Sequence, residues 1–165
     1  MTLSKHITDF LEHLEIEKNA AQLTIRNYDH YLKRFVDFAG DIEPKGINQE
    51  MVRKYRVFLA RWEDPKSGLS LKKVTQNYHV IALRNFLKYL AKRGVKSVSA
   101  EKIELGRAED RHVTFLEHSE LERLLKAPEG TDLNALRDRA MLRMLFSTGM
   151  RVSELCSMDR NKIDV

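Results

Sequence analysis

Four stretches between residues 3 and 94 carry apolar side chains at the spacing of an amphipathic α-helix, and short polar breaks separate them. The spacing predicts helices over 4–18, 22–39, 48–62 and about 70–94. Ser4 and Asn48 stand where N-caps belong, and Gly40 is a natural helix stop. No strand-like alternation occurs before residue 95. Amphipathic helices joined by short loops favour a mainly α fold, a compact four-helix bundle spanning 1–95.

The apolar periodicity of the sequence stops after this predicted bundle. Residues 96–112 are polar and aperiodic, which is typical of a linker between domains. Apolar spacing then predicts helices over about 118–127 and 133–147, and a further short helix in RVSELCSM. DRNKIDV, the last seven residues, has the composition to begin a strand. Residues 113–165 are few for an independent domain, so we expect the front of a larger one that the chain does not complete.

Composition excludes several classes of protein. No apolar run approaches the roughly 20 residues of a membrane span, and the N-terminus lacks the layout of a signal peptide. The single cysteine, Cys156, excludes a disulfide framework and fits the cytoplasm. Six scattered histidines give no metal-ligand spacing. We therefore expect a cytoplasmic protein with no membrane contact, no metal and no cofactor.

Positive charge is concentrated in the first part of the chain. Residues 1–94 hold 17 Lys and Arg against 11 Asp and Glu, whereas 95–165 hold 12 against 13. No acid lies between Asp64 and Glu101, a stretch with eight Lys and Arg. Such a concentration of positive charge suggests a polyanionic partner, although a solvated helix face with few acidic residues is the simpler alternative.

Helical geometry groups these cations with amide side chains on two faces. The polar face of the second helix carries Arg and Asn, and a narrow stripe of Lys73, Asn77, Arg84 and Lys88 runs between two apolar sides of the fourth. Lys and Arg neutralise phosphates, and Arg and Asn also read base edges. Each residue alone could be a solvated side chain, but the two faces together favour double-stranded DNA. The expected contacts are Thr24, Arg26, Asn27, Lys33, Arg34, Lys72, Lys73, Thr75, Gln76, Asn77, Arg84 and Lys88.

Tyrosines in the two helices map mainly to apolar positions. We interpret Tyr28, Tyr31, Tyr78 and Tyr89 as core residues and not as platforms on which bases stack.

The stretch MLRMLFSTGMRVSELCSMDRNKID resembles the first arginine box of the tyrosine recombinases, the phage-integrase and Xer-type site-specific recombinases. The matching positions are Thr148, Gly149, Arg151, Ser153, Glu154 and Leu155. AQLTIRNYDHYLKRFVDF, LKKVTQNYHVIALRNFLKYLAKRG and FLEHSELERLLKA resemble other helices of the same family, so the resemblance covers essentially the whole chain.

The resemblance implies a SAM-like, helical core-binding domain that clamps duplex DNA, a linker, and the mostly helical start of an α/β catalytic domain. In that family a tyrosine attacks the scissile phosphate and forms a 3′-phosphotyrosyl link without a metal. Arg151 matches the first arginine that stabilises charge on the non-bridging oxygens, and Glu154 matches the acid that orients it. Other protomers are implied partners, in a tetramer on DNA.

The sequence also departs from the family. The family's nucleophilic tyrosine and its His-x-x-Arg motif follow the arginine box, but the 14 residues after Arg151 contain no His and no Tyr. We therefore expect this chain alone to bind recombination half-sites without cutting them. It would then be an engineered or proteolytic fragment, or a natural truncation that regulates recombination. A different alternative is a helical protein-interaction module whose basic faces meet an acidic partner.

Overall fold

The structure, a computed structural model, describes residues 1–107, 113–159 and 161. These residues form seven α-helices and no strand, which confirms the mainly α fold. The helices are α1 (Leu3–Ile16), α2 (Gln22–Ala39), α3 (Gln49–Arg61), α4 (Lys73–Lys92), α5 (His118–Lys126), α6 (Leu133–Thr148) and α7 (Val152–Cys156). The chain divides into two compact units, Met1–Asp110 and Arg111–Val165, which we call the first and second units.

The first unit is a bundle in which α4 packs against α1, α2 and α3. Eight residues of α4 are buried, which agrees with its two apolar sides in the sequence. Aromatic rings join the helices: Phe10 lies edge-on to Phe86 at 5.7 Å, and Phe35 lies edge-on to Tyr55 at 4.9 Å. Edge-to-face pairs of this kind stabilise a core by about 0.5–1.5 kcal/mol beyond the burial of their surface.

The helix ends agree with most of the predicted signals. Asn48 Oδ1 accepts a hydrogen bond of 2.8 Å from the Met51 amide, and Gly40 ends α2 with a positive φ of 77°. Ser4 is not the cap we expected, because α1 begins one residue before it. Its amide donates instead to Asp41 Oδ1 at 2.7 Å, and this bond holds the pKa of Asp41 below its usual value.

The fourth helix begins three residues later than predicted, at Lys73. The preceding residues form a turn that an isolated antiparallel bridge closes between Glu63 and Ser70. The Asp64 amide also donates to the Leu69 carbonyl at 3.0 Å. Ser70 is thus part of the turn and cannot start the helix.

The first part of the predicted linker is not a free connection. Ala100 and Ile103 are buried in the core of the first unit, and Val95 and Val98 pack against it. Asn77 also holds Gly106 through two hydrogen bonds of 2.8 and 3.0 Å. The polar composition of this segment concealed the few apolar anchors that attach it. Residues 95–107, which we call the anchored segment, therefore extend the bundle.

The second unit has a different character. Glu117 and Glu120 form a capping box at the start of α5, in which the Glu117 amide donates to Glu120 Oε2 at 2.9 Å. Gly149 ends α6 in the left-handed conformation, at φ 66°, as its position in the sequence predicted. Ala135 is the only fully buried apolar residue among those described in this unit.

Two further predictions from the sequence concern a strand at the end of the chain and helices that could span a membrane. The strand expected in DRNKIDV lies mostly outside the described residues. Among the helices described, none combines the length and the apolar character needed to cross a membrane.

Candidate functional site

The exposed face of α2 carries the predicted contacts Thr24, Arg26 and Asn27, all open to solvent. Lys33 is exposed as well, and its Nζ lies 2.7 Å from Asp29 Oδ2. Surface ion pairs of this kind contribute only about 0–1 kcal/mol, so a phosphate can replace the aspartate as partner at little cost. All four side chains are available to a ligand.

Arg34, also predicted as a DNA contact, is engaged inside the first unit. Its guanidinium carbon lies 4.1 Å from the centroid of the Trp62 ring, and Nη1 lies 3.3 Å from His79 Nε2. Stacking on an aromatic ring and a hydrogen bond to a buried imidazole both hold the guanidinium in place. Arg34 therefore links α2 to the end of α3 and to α4, and a phosphate contact would compete with this role.

His79 is buried at the centre of this linkage, with 1% of its surface exposed. Because arginine has only donors, Arg34 donates to Nε2, and the proton of the neutral ring then lies on Nδ1, 3.3 Å from the Tyr55 hydroxyl. Burial, with the nearby charge of Arg34, lowers the pKa of His79 to about 4. Burial likewise raises the pKa of Tyr55. The network is neutral apart from Arg34 and holds three helices together.

Three lysines of the predicted interface remain exposed at α4. Lys72 and Lys73 lie at its first turn and Lys88 near its other end. Among the described residues, none of the three has an acidic group within 4.0 Å. Unpaired cations on one helix produce a positive surface that a polyanion can neutralise.

The other predicted contacts on α4 are partly buried. Gln76 Nε2 donates to the Leu71 carbonyl at 2.8 Å, and the Asn77 amide is occupied by Gly106. Thr75 and Arg84 are half-buried, and Arg84 Nε is buried without a hydrogen-bond partner. The expected open ridge through Lys73, Asn77, Arg84 and Lys88 is therefore wrong in its middle, because Asn77 anchors the segment that follows α4.

A groove between α2 and α4 brings other predicted residues together. Thr24 and Asn27 line it beside Tyr31 and Tyr78, and its volume is about 380 Å³. Tyr78 is 49% exposed, so our interpretation of it as a core residue is wrong. Its ring stacks on Tyr31 at 6.4 Å, which leaves much of one side open to solvent. Tyr89, by contrast, is buried as expected.

A second cleft lies between α3 and α4 and was not predicted from the sequence. It has a volume of about 410 Å³, and its lining combines Lys73 with Arg53, Arg56 and Arg107. Arg53 and Arg56 are three residues apart on α3, which would place them on one face away from the buried Val52 and Tyr55. That spacing was a usable signal. The approach of Arg107 depends on the fold of the anchored segment and could not be inferred from periodicity.

Arg151 and Glu154 meet at the start of α7 in the second unit. The Arg151 amide donates to Glu154 Oε2 at 2.7 Å, and its Nη1 donates to Oε1 at 3.0 Å. The side chain of Arg151 is 82% exposed. Thr148 Oγ1 donates to the Met144 carbonyl at 2.7 Å and accepts from the Met150 amide at 3.3 Å, which fixes the turn through Gly149. The guanidinium is thus oriented by one carboxylate and open to an anion.

Models of two protein families match the chain. The phage integrase N-terminal SAM-like domain matches residues 7–94, and the phage integrase family matches residues 114–165. The two matches correspond to α1–α4 and to α5–α7 with the residues around them.

Two relatives of known family agree with these matches. Tyrosine recombinase XerC of Bacillus subtilis (strain 168) is 34% identical over 157 residues, which are 94% of this chain and 50% of the relative. Tyrosine recombinase XerD of Halalkalibacterium halodurans is 29% identical, over 98% of this chain and 54% of the relative. The crystal structure of XerA recombinase aligns with a TM-score of 0.47 at 25% identity, over 98% of this chain and 52% of that one. The chain spans about half the length of the relatives it matches.

Proposed function

Since this chain belongs to the phage integrase family, to which tyrosine recombinases such as its XerC and XerD relatives belong, we propose that its first unit binds duplex DNA through α2 and α4. The ligand would be a recombination half-site, and the bound protein would act in the cytoplasm. The exposed contacts would be Arg26, Asn27 and Lys33 on α2 with Lys72, Lys73 and Lys88 at α4.

The main support for this proposal is that no acidic residue lies along α4 and its flanks. Between Asp64 and Glu101 lie eight Lys and Arg, and Arg93 is the one among them with an ion pair in the described part of the chain, to Glu17 at 2.9 Å. A helix face that only served solubility would mix both signs of charge. Phosphates spaced along a strand are the natural counter-charge for an unbalanced row of lysines.

For the second unit we propose that Arg151 binds a phosphodiester oxygen in the protein's reaction on DNA. Support comes from its exposed guanidinium, which Glu154 orients from one helical turn away. A planar guanidinium stabilises negative charge on non-bridging phosphate oxygens through paired hydrogen bonds.

The first test is a gel shift with a random pool of duplex DNA at two salt concentrations, followed by sequencing of the bound fraction. We expect one motif of about 10–13 base pairs, near one helical turn, to be enriched. Affinity should fall steeply with salt because each neutralised phosphate releases counterions. Binding that is absent, or that does not respond to salt, would contradict the proposal.

A helical protein-interaction module is the second candidate function, and the apolar surface of the second unit favours it. Phe115, Leu133, Phe146 and Val152 are all at least 60% exposed there. Exposed apolar groups of this size mark surfaces that contact other protein. We propose that further protein, including other protomers on DNA, covers them. Analytical ultracentrifugation with and without duplex DNA would test this, with assembly expected on DNA.

A further inference from the structure

Four cationic side chains line the cleft between α3 and α4. Arg53, Arg56, Lys73 and Arg107 line it, together with the apolar side chains Val57, Leu59 and Val80. Its volume of about 410 Å³ falls within the roughly 300–1,000 Å³ that is typical of ligand sites.

Among the described residues, one acid forms an ion pair with these four cations. Glu50 accepts two hydrogen bonds from Arg53, one from Nε at 2.8 Å and one from Nη2 at 2.7 Å. Among the described residues, Arg56, Lys73 and Arg107 have no acidic group within 4.0 Å. Three cations that share a cleft repel one another, and an anion bound between them would remove that repulsion.

The backbone of the anchored segment fixes the shape of the cleft. Asn77 holds Gly106 through both its amide nitrogen and its amide oxygen. A methyl group placed on Gly106 would lie 3.1 Å from Asn77 Oδ1 and 3.5 Å from Arg56 Nη2. The Arg56 guanidinium therefore lies directly against this backbone. Asn77, which the sequence suggested as a reader of bases, instead holds one wall of this cleft.

We propose that this cleft binds a phosphate group of the nucleic-acid backbone. Paired guanidinium donors match phosphate oxygens, and a diester carries one negative charge per unit, which suits cations held close together. Lys73 belongs both to the cleft and to the row of lysines on α4, so a strand lying along α4 reaches the cleft without a break. The inference rests on the proposed function and extends the interface from α2 and α4 to α3.

The test compares double variants of the full chain in binding to a random 30-base-pair duplex over a series of salt concentrations. Arg56→Gln with Arg107→Gln removes two cleft cations, neither of which bonds to another described side chain. Lys54→Gln with Arg61→Gln removes the same charge from exposed sites on α3 outside the cleft. Lys72→Gln with Lys88→Gln tests the α4 face itself. Arg56→Lys retains the charge but loses the paired donors.

We expect the cleft variant to reduce the slope of log affinity against log salt by about 1 unit, since the cleft holds one phosphate and each phosphate contact contributes about 0.9. The control on α3 should change the slope by much less. Arg56→Lys should keep a slope near that of the wild type, because the charge remains, but should bind more weakly, because the paired donors are lost. If the cleft variant matches the control while the α4 variant weakens binding, the cleft inference is overturned and the proposed function stands. If the wild-type chain binds no DNA, both fail.

A second measurement separates the backbone phosphate from a free one. Inorganic phosphate is titrated while the amide signals of Gly106 and the Asn77 side chain are followed by NMR. Weak, non-saturating shifts that leave the DNA result unchanged support the backbone as the source. Saturable shifts that the cleft variant abolishes, with no effect of that variant on the salt slope for DNA, would assign the cleft to a small phosphate ligand and overturn the proposal.

Discussion

The two units of this chain bury their apolar side chains to very different extents. In the first unit, Phe86 and Leu83 are fully buried among residues from four helices. In the second, Phe146 is 60% exposed and Leu133 is 85% exposed, although both lie on the longest helix of that unit. Full burial of a large apolar side chain stabilises a fold by about 1.5–3 kcal/mol. The helices of the second unit therefore gain far less from packing than those of the first.

The difference shows why the two candidate sites are built differently. The first unit can hold charged groups in fixed positions, as with Arg34 against Trp62 and His79, because a closed core supports them. Arg151 depends instead on local contacts, to Glu154 and to the turn at Gly149. A guanidinium positioned by one exposed ion pair is held by a weaker interaction than one packed against a closed core.

Replacing one phenylalanine in each unit should give the largest difference in stability between the two units. Phe86→Ala should lower the free energy of unfolding of the first unit by about 3–5 kcal/mol, because Phe86 is fully buried and its removal leaves a cavity in the core. Phe146→Ala should change stability by less than about 0.5 kcal/mol. Fluorescence of Trp62, the only tryptophan, follows the first unit during denaturation, and circular dichroism follows both. Equal effects of the two substitutions would contradict the difference in burial.

Acid should affect the first unit through His79. The unfolded chain protonates this residue near pH 6.5, and the folded chain does so near pH 4, so the unfolded state binds the extra proton between these values. The free energy of unfolding should therefore fall by about 3 kcal/mol as the pH falls from 7 to 4.

His79→Gln should flatten this part of the pH profile, measured as denaturation midpoints from Trp62 fluorescence. The matched control is His118→Gln in the second unit, where the side chain is 87% exposed, and it should leave the profile unchanged. A wild-type profile that is flat between pH 4 and 7 would contradict the buried, neutral imidazole.

Loss of the Asn77 amide should release the anchored segment at a smaller cost. Asn77→Ala leaves the amide and carbonyl of Gly106 without partners, which should cost about 1–2 kcal/mol. Hydrogen exchange at the Gly106 amide should accelerate, while exchange within α1 stays slow. Unchanged exchange at Gly106 would show that the two hydrogen bonds do not hold this segment.

The smallest effect on the first unit should come from a change in the second. Gly149→Ala places a side chain at φ 66°, which should cost about 1 kcal/mol locally and loosen the turn between α6 and α7. Hydrogen exchange should increase in α7, and the denaturation curve of Trp62 should not move. A shift in that curve would mean that the two units are not energetically independent.

Much of the first unit could be predicted from the sequence because its signals are local. Helix α2 begins and ends where apolar periodicity and Gly40 placed it, and Asn48 caps α3 as expected. A local signal also identified the turn at Gly149, whereas the pairing of Arg151 with Glu154 was implied by the family resemblance. Charge along α4 indicated which lysines would be exposed, since lysine side chains rarely enter a core.

What the sequence could not provide depends on contacts between distant residues. Arg34 has the pattern of a surface cation, and only the fold shows that Trp62 and His79 engage it. Asn77 appeared free until Gly106, 29 residues later, occupied its amide. Tyr78 lies at an apolar position of α4 but faces a groove, because α2 covers only part of that side. Helical periodicity gives a direction for each side chain and does not say what lies there.

Lysine footprinting on duplex DNA tests the proposed interface most directly, because a single experiment measures both units. The chain is acetylated briefly with and without DNA, and the modification at each lysine is quantified by mass spectrometry. Lys72, Lys73 and Lys88 should be protected several-fold, whereas Lys126, 78% exposed in the second unit, should react at an unchanged rate. Protection of Lys126 without protection at the three α4 sites would contradict binding through α2 and α4.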